Sequence, residues 1–213
     1  SPFCKEWYWT TKAHNALEID GEGQPKNWTA RGKFAAFVPG DAYDYVAGDA
    51  TGAYGNRVSR YRRHLVFLKP DIVVILDEVK APRPVALKFW LHGRAPFVID
   101  RGTGRIALEF ERAALNGFVL APGGLTIEQT DKYPLPPESG TPEPEWHLWA
   151  ETGSKSADAR IVAVLGISRA GTKVELGEVK ESVAGDVVTV AFHRGGRPVT
   201  VAFDTAQASV RVQ

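Results

Sequence analysis

Helical periodicity is almost absent from this chain, and strand signals recur along its length. Short runs rich in β-branched and aromatic residues are cut at close spacing by Gly, Pro and Asp, the pattern of an all-β protein. The clearest unit runs from Arg63 to Val79. Residues 64–68 read as one strand and residues 72–79 as its return. Lys69-Pro70-Asp71 between them reads as a tight turn, with Pro70 preset for a turn position. The run Ile72-Val73-Val74-Ile75-Leu76 is apolar at every position. A half-exposed strand would alternate, so this one is predicted to be central and buried between two layers.

Further strands are predicted at residues 16–19, 85–92, 97–99, 105–111, 114–120, 125–129, 147–150, 159–167, 173–179, 187–193, 198–203 and 209–212. Residues 105–111 alternate strictly, as a strand with one solvated face does. Residues 131–145 are rich in Pro, Glu, Ser and Gly. They are predicted to form a long surface loop, because Pro removes ladder donors. A dozen or more antiparallel strands with no helix predict an all-β fold, a large antiparallel β-sandwich of two sheets. It is expected to span residues 1–213 as a single domain, with no internal repeat.

At 213 residues, 44% of them hydrophobic, the chain is long enough to bury a sizeable core. No apolar run approaches the roughly 20 residues of a membrane helix, so no membrane partner is expected. The formal net charge is only +1, which argues against a nucleic acid partner and, more weakly, against a heavily sulfated polymer. Cys4 is the single cysteine, so neither an internal disulfide nor a Cys-based zinc site is expected. The chain holds no Met, even at its first position, and opens on no basic segment followed by an apolar one. It reads as a processed or excised piece, or as a chain given without its start, and no signal peptide is expected in it.

Several stretches could carry chemistry. In Thr10-Thr11-Lys12-Ala13-His14-Asn15-Ala16-Leu17-Glu18-Ile19-Asp20-Gly21, His14 and Asn15 stand at the mouth of a short strand. Histidine is a common metal ligand and proton carrier, and Asn15 can bind a ligand or orient the ring. The alternative is a strand-edge His bonded to a neighbouring carbonyl. In the Gly-rich stretch 40–54, tyrosines including Tyr54 could stack on sugars, or could plug the base of a hairpin. Along 60–64, strand alternation places Tyr61 and Arg63 on one face and Arg60, Arg62 and His64 on the other. Arg63 could take a substrate carboxylate through both arms of its fork, or could be bonded to Asp77 or Glu78. Trp90 and His92 share a face. They are either a sugar platform with a polar contact, or a core Trp with a His at the strand end. Glu145, Trp146, His147 and Trp149 cluster beside the Pro-rich segment and could border a binding surface. Asn27-Trp28-Thr29 has the spacing of a glycosylation acceptor. Gly-x-Ser-x-Gly, P-loop and His-Glu-x-x-His patterns are missing from the sequence.

Taken in order, these pieces resemble one family. Thr11-Lys12-Ala13-His14-Asn15-Ala16-Leu17 with Asp20-Gly21 is similar to its "AHN…(I/V)DG" segment. Gly48-Asp49-Ala50-Thr51 with Tyr54 is similar to its "GDAS-x-x-Y" segment. The stretch from Tyr61 through Lys69-Pro70-Asp71 to Asp77 is similar to its "YxRxxxFxKPDxxVxxD" hairpin, and Trp90-Leu91-His92 to its "WxLH" strand. The family is the heparinase II/III-like polysaccharide lyases, which include alginate lyases. The resemblance covers most of the first hundred residues.

The resemblance implies the C-terminal β-sandwich of a protein whose N-terminal part is an α/α-toroid. It implies cleavage of uronic-acid polysaccharides by β-elimination, and a periplasmic or secreted location. It implies a zinc ion held by a His-x-His segment, a downstream Asp and the His of the "AHN" motif, here His14. The other zinc ligands and the catalytic Tyr would lie upstream, so no complete catalytic set is expected in this chain. Asn15, Tyr54, Arg63, Trp90 and His92 are the expected contacts to an acidic polysaccharide or oligosaccharide. The modest charge favours an unsulfated polymer such as alginate. The competing expectation is a non-catalytic carbohydrate-binding or structural module.

Overall fold

The computed structural model describes residues 1–136 and 145–213. Its strands, in chain order, are β1 (Leu17–Ile19), β2 (Lys33–Val38), β3 (Tyr43–Asp49), β4 (Arg60–Leu68), β5 (Ile72–Val85), β6 (Leu87–Gly93), β7 (Val98–Asp100) and β8 (Arg105–Phe110). They continue with β9 (Ala113–Leu120), β10 (Leu125–Thr130), β11 (Trp146–Thr152), β12 (Ser156–Arg169), β13 (Lys180–Ala184), β14 (Val187–Arg194), β15 (Arg197–Asp204) and β16 (Ser209–Val212). Strand accounts for 57% of residues and helix for 8%, so the all-β antiparallel sandwich expected from the sequence is the fold of this chain. No helix among the described residues is long and apolar enough to cross a membrane.

The sandwich has three layers, where the sequence suggested two sheets. A central eight-stranded sheet has the order β2-β3-β4-β5-β12-β9-β8-β7. One four-stranded sheet, β1-β6-β11-β10, covers one face, and another, β13-β14-β15-β16, covers the opposite face. The middle position explains the unbroken apolar run in β5. Ile75 and Val79 point into the core shared with Leu17, Phe89 and Leu148 of the first outer sheet. Ile72, Val74 and Leu76 point into the core shared with Val190, Val201 and Phe203 of the second. A strand buried on both faces has no solvated positions to fill with polar residues.

Three local outcomes differ from the sequence expectation. β5 continues to Val85 through Pro82 and Pro84. Proline lacks a ladder donor, and here the pairing with β12 skips register between Ser156 and Asp158, next to those prolines. Residues 173–179 form no strand. Val174, Leu176 and Val179 are buried in the second core, but the segment makes only an isolated bridge between Leu176 and Arg194. Its apolar residues serve burial without a ladder. Finally, β2 and β3 arise from the stretch 33–49, whose glycines and small residues obscure alternation. Of the loop expected at 131–145, residues 131–136 are irregular as predicted, and residues 137–144 lie outside the described residues.

Candidate functional site

The candidate site lies where the first outer sheet meets the central sheet, at the start of β1 and the end of β6. β1 is short, and the turn Thr11–Ala13 delivers His14 and Asn15 to its mouth. The backbone N–H of Trp90 donates to the Ala16 carbonyl at 3.0 Å. One step further along β6 there is no strand carbonyl left to pair with. The Asn15 side chain takes over: the backbone N–H of His92 donates to its Oδ1 at 3.0 Å. An amide oxygen placed this way copies a backbone carbonyl and prolongs the ladder by one rung.

Asn15 also faces the His92 ring, whose Nδ1 lies 3.1 Å from the same oxygen. The other ring nitrogen, Nε2, donates to the Lys12 carbonyl at 3.0 Å. The neutral ring carries its proton on Nε2, so the ring is held by the Lys12 carbonyl and the backbone of His92 by Asn15. Burial pulls its pKa below the ordinary value, and the nearby His14 pulls in the same direction. His14 itself is exposed, with Nε2 2.9 Å from the Tyr8 carbonyl. It has the carbonyl bond of the structural reading and the exposure of the ligand reading.

Beneath this corner lies Arg63 on β4, directly opposite Asp77 on β5. Its Nε donates to Asp77 Oδ1 and its Nη2 to Oδ2, both at 2.7 Å. Asp77 is fully buried, and Tyr61 Oη donates to its Oδ1 at 2.9 Å. The remaining arm of the fork, Nη1, donates to the Asn15 carbonyl. The guanidinium also lies over the Phe89 ring. Of the two roles open from the sequence, the bond to Asp77 is the one this geometry displays. The Arg63 side chain retains 25% exposure and lines a cavity of about 400 Å³ beside Lys33, Phe34, Asp49 and Tyr61.

Glu78 repeats the arrangement on the opposite face of the sheet. Its Oε2 accepts from Arg60 Nη2 at 2.8 Å, and its Oε1 lies 3.3 Å from His64 Nε2. The other nitrogen of His64 is 2.8 Å from the Tyr45 hydroxyl. The adjacent carboxylates Asp77 and Glu78 therefore anchor arginines on opposite faces, as strand alternation requires.

Tyr54 and Trp90 sit differently from an open sugar platform. Tyr54 is 1% exposed, its hydroxyl donates to the Leu17 carbonyl, and its ring meets Tyr61 edge-on. Burial raises its pKa to about 12. It plugs the core behind the corner, and no face is left for a sugar. Trp90 is 9% exposed, with Nε1 donating to Glu18 at 3.0 Å and its ring against Trp149. The structure thus gathers His14, Asn15, Arg63 and His92 at one corner, with Trp90 alongside and Tyr54 underneath.

A second group adjoins His92 and was only partly visible in the sequence. His147 on β11 is paired with His92 in register. Its ring lies 4.5 Å from Trp7, 5.1 Å from Tyr133 and 5.1 Å from His92. It is 1% exposed, and neither ring nitrogen has a hydrogen-bond partner. Trp7 comes from the short helix Cys4–Tyr8 and Tyr133 from an irregular segment, and no pattern ties them to His147. Lys33 and Phe34 at the cavity also escaped the sequence reading, because β2 is exposed along nearly its whole length and does not alternate.

The zinc expectation can be tested against the donors at hand. Among the described residues, no group of three or more His, Cys, Asp or Glu is arranged to hold a metal ion. Of the imidazoles at this corner, His14 is exposed, His92 is part-buried with Nε2 on the Lys12 carbonyl and His147 is buried, and zinc takes about four ligands. The described residues do not form a zinc site by themselves.

Comparison with known proteins fits this architecture. No curated protein matches the sequence. Solved structures do match. A heparinase III gene product aligns over 93% of this chain and 31% of its own, at 12% identity and a TM-score of 0.74. The heparan sulfate lyase HepC from Pedobacter heparinus aligns over 92% and 31%, at 12% identity and 0.73. A second heparinase III aligns over 92% and 30%, at 17% identity and 0.72. At such identities the likeness establishes the fold, and this chain spans about a third of the length of each match. The family model for the heparinase II/III-like C-terminal region covers residues 2–175, and the chain belongs to that family.

Proposed function

We propose that this chain is the β-sandwich part of a polysaccharide lyase that cleaves uronic-acid polymers by β-elimination, acting with an α/α-toroid domain outside this sequence. What supports the reading is family membership together with one observation: the segments that carry the family resemblance converge on a single corner. The proton at C5 of a uronate is weakly acidic. Elimination needs the carboxylate neutralised, a base to take that proton and an acid for the departing O4. The corner supplies the polar groups His92 and Asn15, and Lys33 with the edge of Arg63 lines an open cavity next to it. Its two inward tyrosines are unsuited to act as base: burial raises the Tyr61 pKa well above its ordinary value and that of Tyr54 to about 12. The base is assigned to the missing domain.

His14 is proposed as one zinc ligand, completed by donors upstream. A periplasmic or secreted location is proposed with it, and an unsulfated polymer such as alginate as the preferred substrate. The test is ultraviolet absorbance of unsaturated uronate product. The longer protein should produce it from alginate, hyaluronan or heparan sulfate, and this chain alone should not. Product from the chain alone would place a complete site in the sandwich. None from the longer protein would favour the non-catalytic binding module.

A further inference from the structure

Asp77 lies too deep to touch a substrate, yet it is the most constrained group near the corner. Its two oxygens accept three hydrogen bonds, two from Arg63 and one from Tyr61. Arg63 in turn spends its third arm on the Asn15 carbonyl. The Asn15 side-chain oxygen then accepts from the backbone N–H of His92. These bonds form one continuous chain from the centre of β5 to the surface: Asp77, Arg63, Asn15, His92. Among the described residues, the Arg63 arm makes the hydrogen bond that ties Asn15 to the central sheet. Asn15 is exposed and belongs to no strand, and besides its side-chain bond to His92 it is held through its carbonyl by that arginine arm.

We propose that Asp77 is a positioning residue that sets the His14–Asn15 corner through Arg63, and that Arg63 acts as the connecting strut rather than as the carboxylate-binding fork. The physical argument is one of donor use and rigidity. A bidentate pair with a fully buried carboxylate fixes the guanidinium plane. The fixed plane aims Nη1 at one carbonyl, and the strand-like hydrogen bond to His92 then fixes the side chain of the same residue. A site placed this way moves little, which is what a cleft wall requires. The assignment rests on the lyase reading for its catalytic consequence, but not for its geometry.

The test therefore has two arms. In the first, amide hydrogen exchange is measured on this chain and on its Arg63→Gln, Asp77→Asn and doubly substituted forms. The His92 amide is the reporter, because its acceptor is the Asn15 side chain. Its exchange should accelerate about tenfold or more in Arg63→Gln, while amides of β14 and β15 keep their protection. The double variant should be no worse at His92 than Asp77→Asn alone, since both act through one strut. Should Asp77→Asn not fold, Arg63→Gln decides by itself. Unchanged His92 exchange in Arg63→Gln overturns the proposal. In the second arm, the longer protein carrying Arg63→Gln is assayed on uronate polymers. A loss in kcat/KM that does not add to the loss caused by Asn15→Ala fits a strut, and losses that add in full in the double variant would make Arg63 a direct carboxylate contact and sink the assignment. Absence of lyase activity in the unsubstituted protein would defeat the functional reading and leave the exchange result standing.

Discussion

Acid should loosen this protein through His147, and the size of the effect follows from where the ring sits. The ring is 1% exposed, walled by Trp7, Tyr133 and His92, with both nitrogens unpartnered. Burial holds its pKa down at about 4, His92 adds to the depression, and Asp131 opposes it. In the unfolded chain the ring titrates near 6.5. Above that pH it is neutral in both states and contributes no pH dependence. Below it the unfolded chain takes up a proton that the folded chain refuses, so stability falls as pH drops from about 6.5 to about 4. At about 1.4 kcal/mol per pH unit, the full loss is about 3 kcal/mol, of which about 2 kcal/mol is already lost at pH 5. The perturbation is His147→Leu, close in volume and free of polar atoms. The assay is urea unfolding at pH 8 and at pH 5 for both proteins. At pH 8 the variant should match or exceed the parent by about 1 kcal/mol, because two unpaired nitrogens are removed. Between pH 8 and pH 5 the parent should lose about 2 kcal/mol more than the variant. Equal losses in the two proteins would refute the assignment of the acid response to His147.

Other outcomes follow from the same structure. Glu78→Ala should cost about 3–5 kcal/mol in denaturant unfolding, because it strands Arg60 and removes the carboxylate facing His64 in a buried layer. Phe203→Ala should cost about 3–5 kcal/mol, since the ring is fully buried between the central and second outer sheets. Gly117→Ala should destabilise strongly in thermal unfolding, because a Cβ there would stand 2.2 Å from the Val164 carbonyl oxygen on the neighbouring strand. His14→Ala should change the stability of this chain by less than about 0.5 kcal/mol, the ring being exposed. In the longer protein the same substitution should lower the zinc content, and equal zinc in both proteins would remove His14 from the ligand set.

The primary sequence was enough to determine the class of fold and most of its strands, because both depend on local pattern. The alternation of 105–111 and the apolar run 72–76 each report how many faces of a strand are buried. The hairpin from Arg63 to Val79 was legible to its turn, and the pairing of Arg63 with Asp77 was among the options its register allowed. The order of motifs likewise named the family. Tertiary structure alone decided the rest. It set three layers instead of two, since the number of sheets depends on which hydrophobic faces meet across distant segments. It turned 173–179 into a buried strap, because Val174 and Leu176 found a core without finding a ladder. It sent Tyr54 inward, where its hydroxyl meets a carbonyl that sequence spacing cannot locate. It also brought Trp7 and Tyr133 onto His147, and Arg63 under Asn15. Those meetings join residues well separated along the chain. No local period encodes them, and only tertiary packing brings such side chains into contact.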